Sequence, residues 1–320
     1  MSGRATGLCA SRAIRAVRNR VAASRRAGGL FGQPVRIGAL DPPRTAVSRP
    51  FSNVLLATQG TSFDAGAERV AIDLAARLGI GLRVVLPVVS NPEYESMAPL
   101  LGDRSVAEAA SWLDALREAA RAKGVELTGA VRPGAELSRE IVAEALERGA
   151  DLLVMRRRGR RSYLANLLFG QMVRAATGHA PCDVLIVPQE SDLWSHCIVL
   201  ATDGSPHARR AADLAASIGV AFGLPLRVVS AALRQDADAE AAAHVERALA
   251  AISAAGAHAT GRVVDGRPEE AILRCAREIG ADLIVLGRRG MNRAARALVG
   301  STTEKVAGQA SGPVLIVRAE

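Results

Sequence analysis

The sequence predicts an α/β protein made of two tandem, doubly wound parallel-sheet domains, and three observations carry that reading. Short segments recur in order along the chain: 149–155 (GADLLVM) returns at 280–286 (GADLIVL), 184–187 (VLIV) at 314–317, and 56–60 (LATQG) at 200–204 (LATDG). Collinear repeats of this kind mark a duplicated unit of about 130–140 residues. Within each unit, short apolar runs alternate with segments of helical period, which forces right-handed crossovers and a parallel sheet covered on both faces. Hydrophobic residues make up 49% of the 320 residues but aromatic ones only 3%. The cores are therefore built from Ala, Val, Leu and Ile, as suits buried parallel strands under Ala-rich helices.

The second unit gives the element order. Residues 197–201 form an apolar strand, followed by Ser205-Pro206, an N-cap with proline at the first helical position. The next helix lines up Ala211, Ala215, Ile218 and Phe222 on one face. A strand follows at 226–230, a helix at 239–254, a strand at 262–264 and a proline-led helix at 268–279. The unit closes with a strand at 282–286, a helix at 301–310 and a strand at 314–317. The first unit follows the same order from a strand at 54–57, a helix with Val70, Leu74 and Leu78 on one face, and a strand at 82–86, to 184–187. Residues 189–196 are expected to be a short polar linker. The division is thus a tail over 1–50, a first domain over 51–188, the linker, and a second domain over 197–320.

Charge is distributed unevenly. Residues 1–50 hold ten arginines against one acid, Asp41, so the leader carries the whole net charge of +9 and the rest balances. Its Arg, Ala, Ser and Gly content is expected to leave it disordered. An untranslated upstream stretch, a transit peptide and a basic arm stay open as other readings. The high isoelectric point therefore gives no ground for nucleic-acid binding by the folded part, and nucleic acid is not expected as a partner. The run Arg156–Arg161, with Tyr163 nearby, is read as a solvated loop. No apolar run approaches the ~20 residues needed to cross a bilayer. The four cysteines (Cys9, Cys182, Cys197, Cys275) have no metal-ligand or CxxC spacing; three lie in apolar surroundings, and a reducing cytoplasm fits them.

In open parallel sheets, ligands bind beyond the carboxyl ends of strands where the strand order reverses. In the second unit two loops lie there: Ala201-Thr202-Asp203-Gly204-Ser205, and Gly287-Arg288-Arg289-Gly290 with, nine residues on, Gly300-Ser301-Thr302-Thr303. Gly287 and Gly290 let backbone approach a ligand closely. Gly300-Ser301 opens a helix whose free N–H groups suit a phosphate. Ser301 and Thr303 add hydroxyls, Arg288 or Arg289 can neutralise phosphate charge, and Asp203 can accept from a ribose hydroxyl or an adenine amino group.

The pattern Gly287-x-x-Gly290-x9-Gly300-Ser301, with Asp203 after the first strand and Val314–Val317 as a final strand, resembles the nucleotide signature of the universal stress protein family. The resemblance spans residues 52–318 in two copies. It implies the five-stranded adenine nucleotide alpha hydrolase-like fold in each copy and a role as a nucleotide-responsive stress or regulatory protein. It also implies ATP, with Mg2+, in the second copy: Asp203 on adenine, Gly287 and Gly290 along ribose and phosphates, Gly300 and Ser301 on the β- and γ-phosphates, and an adenine-facing backbone near Ala231. Expected binding residues are Ala201, Thr202, Asp203, Ala231, Leu286, Gly287, Arg289, Gly290, Gly300, Ser301, Thr302 and Thr303. The first copy departs from the pattern. Gln59 stands for the aspartate, Arg156 for the first glycine, ten residues separate Gly159 from Gly170, and Gln171 follows; nucleotide is not expected there.

No Ser-His-Asp set, HExxH or P-loop lysine is present, so no catalytic residues are expected. His207 is read as a helix-surface residue. An adenylate-forming enzyme would carry a Ser-Gly-Gly-x-Asp-Ser loop after the first strand, where this chain has Thr202-Asp203-Gly204-Ser205-Pro206. A nucleotide-free dimerisation scaffold is the alternative from another class. Family resemblance further implies that the two VLIV strands pair, within one chain as a pseudo-dimer or between two chains as a homodimer.

Overall fold

A computed structural model describes residues 49–90, 99–157, 170–232, 238–290 and 298–319. The arginine-rich leader, Gly159 and the rest of the arginine run beyond Arg157 lie outside the described residues.

The first copy runs β1 (Val54–Ala57), α1 (Ala65–Leu78), β2 (Leu82–Val89), α2 (Pro99–Ala122), β3 (Leu127–Gly134), α3 (Leu137–Glu147), β4 (Leu152–Arg156), α4 (Gln171–His179) and β5 (Asp183–Val187). The second runs β6 (Ile198–Ala201), α5 (Pro206–Phe222), β7 (Leu226–Ala232), α6 (Asp238–Ala254), β8 (Ala259–Asp265), α7 (Pro268–Glu278), β9 (Leu283–Gly287), α8 (Ser301–Gln309) and β10 (Val314–Val317). Among the described residues, all ten strands join one sheet in the order β3-β2-β1-β4-β5-β10-β9-β6-β7-β8. Pairing is parallel within each copy. It is antiparallel only at the centre, where Val314 faces Ile186, Leu315 faces Leu185 and Ile316 faces Val184. The two VLIV strands thus satisfy each other's edges inside one chain.

Helices α1, α2, α5 and α6 bury one face of the sheet around Leu56, Leu74, Leu200 and Ile218. Helices α3, α4, α7 and α8 bury the other around Leu153, Ile186, Ile284 and Val306. The repeated Gly-Ala-Asp has a structural reason. Gly149 and Gly280 turn with φ of 59° and 63°. Each following aspartate then anchors the entry to its copy's first strand. Asp151 accepts from the N–H groups of Ser52 and Asn53, and Asp282 from those of Ser195, His196 and Cys197.

β2 runs to Val89, three residues past the expected end at 86, and two further segments also differ from expectation. β8 begins at Ala259, three residues before the expected strand, because Gly261 interrupts the apolar pattern. A Cβ there would lie 2.3 Å from Val245 Cγ1, so the missing side chain is what lets α6 pack. The segment 189–196 is more than a polar linker: Trp194 is 2% exposed and stacks obliquely on Phe222, with ring centroids 5.6 Å apart. Arg69 on α1 holds the same segment through the Ser191 carbonyl and the Asp192 carboxylate. Among the described residues, no helix is long and apolar enough to cross a membrane. Cys182, Cys197 and Cys275 are buried free thiols, and burial pushes Cys182 up to about 12, which leaves it unreactive at neutral pH.

Candidate functional site

Strands β6 and β9 lie side by side and parallel, with Leu200 opposite Val285. From β6 the chain proceeds to β7 on one side, while β9 and β10 lie on the other. The crevice between the β6 and β9 ends is therefore a topological switch point. Ala201 ends β6 and Thr202 follows it; both are buried, and the Thr202 N–H donates to Val229 O. Ala231, half-buried, lies near the end of the neighbouring β7. Leu286 and Gly287 end β9.

The loop after β6 folds on its own side chains. Asp203 Oδ1 accepts from the Ser205 N–H at 3.0 Å, and a Cβ built on Gly290 in the opposite loop would lie 2.6 Å from its Oδ2. Ser205 caps α5 by accepting from Ala208 N–H at 3.1 Å, with Pro206 behind it. Gly204 turns with φ 75°, and a Cβ there would meet the ring of His244 at 2.4 Å. His244, on α6, is a wall residue of this loop that sequence reasoning passed over. Burial, then Arg247, holds its imidazole below the usual histidine range.

The loop after β9 is fixed at both ends. A Cβ on Gly287 would lie 2.7 Å from His207 Cβ and 2.9 Å from the His207 carbonyl carbon, so only glycine lets α5 approach. Gly300 N–H donates to Arg288 O at 2.9 Å, joining the two glycine segments. Gly300 is the N-cap of α8 and, having no side chain, makes no side-chain cap to the N–H groups of the first turn. Arg289, Gly290 and Ser301 are exposed and Thr302 is half-buried. Thr303 is buried and donates its hydroxyl to Gly287 O at 2.9 Å, so it holds the loop rather than facing outward. His207 Nδ1 accepts from the Ala319 N–H at 2.7 Å, which ties down the C-terminal residues.

Arg288 has a different place from Arg289. It is buried, and its Nη1 donates to the carbonyls of Thr177 (3.1 Å), Gly178 (3.4 Å) and Ala180 (3.0 Å) at the end of α4 in the first copy. Burial, then the charges of Arg318 and Arg289, lower it to about 10. Of the two arginines, only Arg289 is turned to solvent beside the crevice.

The corresponding crevice of the first copy is filled from within. Arg156, at the end of β4, sends its guanidinium to Thr61 Oγ1 at 3.0 Å, to Gln59 Oε1, and to the buried carboxylate of Asp64 at 3.2 Å. It also lies over the Phe63 ring. The small cavity left beside it is lined by Ala57, Thr58, Pro87, Ile141, Met155 and Met172. Behind it, the buried Glu68 accepts from the Thr58 hydroxyl (2.6 Å) and the Trp112 indole N–H (2.9 Å). Its carboxyl is raised above the ordinary range, chiefly by burial.

The chain is similar to known proteins over nearly all its described length. A universal stress protein of Thermus aquaticus is 38% identical over 137 residues, covering 38% of this chain and 97% of its own. A Mycobacterium tuberculosis universal stress protein, Rv1636, is 33% identical over 138 residues, covering 38% of this chain and 94% of its own. A crystal structure of a universal stress protein from Archaeoglobus fulgidus superposes with a TM-score of 0.69 at 20% identity, covering 85% of this chain and 98% of that one, a likeness of fold. The model of the universal stress protein family matches twice, over residues 50–188 and 196–318. The chain belongs to the universal stress protein family, as a member with two copies of the domain in tandem.

Proposed function

We propose that this protein binds one ATP in its second copy and acts as a nucleotide-responsive stress or regulatory protein. One observation carries the reading. At the switch point, Gly287–Gly290 and the uncapped start of α8 at Gly300 are joined by a single backbone hydrogen bond, with Asp203 Oδ2 facing them across the crevice. That arrangement offers a carboxylate acceptor for ribose or adenine. It also offers a helix N-terminus for anionic oxygens and an exposed cation, Arg289.

In this reading Asp203 and the backbone around Ala201, Thr202 and Ala231 hold the nucleoside. Leu286, Gly287 and Gly290 line the sugar and first phosphate, and Gly300, Ser301 and Thr302 receive the outer phosphates while Thr303 fixes the floor. Among the described residues, no group of three His, Cys, Asp or Glu side chains could hold a metal ion. Mg2+ would therefore arrive coordinated to the triphosphate, with the Ser301 hydroxyl as its protein contact. The first copy is a non-binding partner: Arg156 occupies its crevice with a charge of its own.

A nucleotide-free scaffold is the competing reading, favoured by the continuous central pairing of β5 with β10. Mass spectrometry of small molecules released by denaturing freshly purified protein separates the two. Stoichiometric adenine nucleotide supports the proposal. Protein that carries none and gains none from Mg-ATP supports the scaffold.

A further inference from the structure

The two copies exchange arginines across their junction. Arg288 reaches the Thr177, Gly178 and Ala180 carbonyls in the first copy, and Arg157, its counterpart, reaches the Ala310 carbonyl at the end of α8 in the second. The backbones repeat the symmetry: Arg157 N–H donates to Val187 O and Arg288 N–H to Val317 O, both at 2.7 Å. The consequences are unequal. Arg157 follows a strand whose crevice is filled by Arg156. Arg288 sits inside the loop that forms the candidate nucleotide site.

Arg288 is anchored in three directions. Its N–H is fixed to β10, its carbonyl receives the Gly300 N–H, and its side chain ends among the carbonyls that close α4. A helix C-terminus is where a buried cation is best stabilised without a carboxylate. Alongside, Gly178 admits Leu298, with only 2.5 Å between Leu298 Cβ and a Cβ built on the glycine, and Arg174 pairs with Glu304 in the first turn of α8 at 2.8 Å. Both segments of the site, 287–290 and 298–304, thus rest on α4 of the copy whose own site is filled.

We propose that Arg288 is a positioning residue through which the first copy sets the geometry of the nucleotide loop in the second, so that the filled copy serves as a template for the open one. This rests on the second copy being the nucleotide site, and the test separates the two ideas. The full chain and its Arg288→Ala, Arg288→Lys and Arg157→Ala variants are titrated with Mg-ATP, and their amide exchange is followed without nucleotide.

Arg288→Ala should weaken Mg-ATP by about tenfold, within the range that residues coupling two sites supply. Arg288→Lys, whose ammonium retains donors for the same carbonyls, should recover part of that loss. Arg157→Ala should lower the melting temperature comparably yet leave affinity within about twofold. In unliganded protein, Arg288→Ala should speed exchange at Gly300, and Arg157→Ala should not. Equal losses of affinity in both alanine variants would overturn the proposal, since general loosening of the junction would then explain them. Unchanged exchange at Gly300 in Arg288→Ala would overturn it as well, whatever the protein binds. If the unmodified chain binds no Mg-ATP, the nucleotide reading fails, and the exchange result alone decides whether Arg288 sets the loop.

Discussion

A Cβ built on Gly290 would lie 2.6 Å from Oδ2 of Asp203, although the two residues belong to loops after different strands. The atom met is the end of a side chain, so the fold can accommodate it by moving the carboxylate. At Gly287 the atoms met belong to His207 on α5, including its backbone, and cannot yield so easily.

Gly290→Val should therefore leave stability nearly unchanged while displacing Asp203 and crowding the crevice, weakening Mg-ATP by at least about tenfold, the loss of one hydrogen bond to a charged group. Gly287→Val should instead destabilise the protein by about 1–3 kcal/mol through overpacking against α5. Chemical denaturation and titration calorimetry on both variants check the contrast. Equal stability losses would mean that Gly290 is also packed against a rigid neighbour.

Trp194 lies in the segment between the copies yet is 2% exposed, and its Nε1 is buried without a hydrogen-bond partner among the described residues. Trp194→Ala should lower stability by about 3–5 kcal/mol through cavity formation. Trp194→Phe should cost less than half of that, because it removes a buried donor that gains nothing. Urea midpoints of the two variants provide the measurement. A mild effect of alanine would show that the segment is not part of the core.

Glu68 gives a pH dependence whose sign is fixed. Burial raises its carboxyl above the ordinary value of 4.5, against the lowering hydrogen bonds from Thr58 and Trp112. The folded protein then holds the proton more tightly than the unfolded chain, so the contribution is complete below 4.5 and is lost as pH rises through the raised value. Glu68→Gln keeps an acceptor for both donors and cannot ionise. Its stability relative to the wild type should rise across that window and level off above it. A difference that does not change with pH would show that Glu68 keeps an ordinary carboxyl in the folded protein.

The fold was legible because the duplication is written in collinear segments and the helices announce themselves by proline and serine caps, as at Ser205-Pro206. The choice of Asp203, Gly287, Gly290 and Gly300 came from the rule that ligands sit beyond strand ends at a switch point, together with the glycine spacing and the family resemblance. Other features were hidden by their dependence on distant chain. Arg288 and Arg289 are adjacent and chemically alike, and only the junction with α4 decides that one is buried and the other exposed. Trp194 stands in a polar stretch, and its burial depends on Phe222 arriving from α5. Gly261 broke a strand pattern that continues through it, since its role is read from Val245 on α6.

In the proposed reading, one crevice of the two takes nucleotide. Arg156, at the end of β4, fills the first crevice with Gln59, Thr61 and Asp64, whereas Gly287, at the end of β9, has no side chain to send into the second. Isothermal titration of the nucleotide-stripped full chain with Mg-ATP counts the open sites directly. The account predicts about one site per chain, with Asp203→Ala weakening it by about 1–3 kcal/mol. Two sites per chain, or one that is indifferent to Asp203 and Gly290, would contradict it.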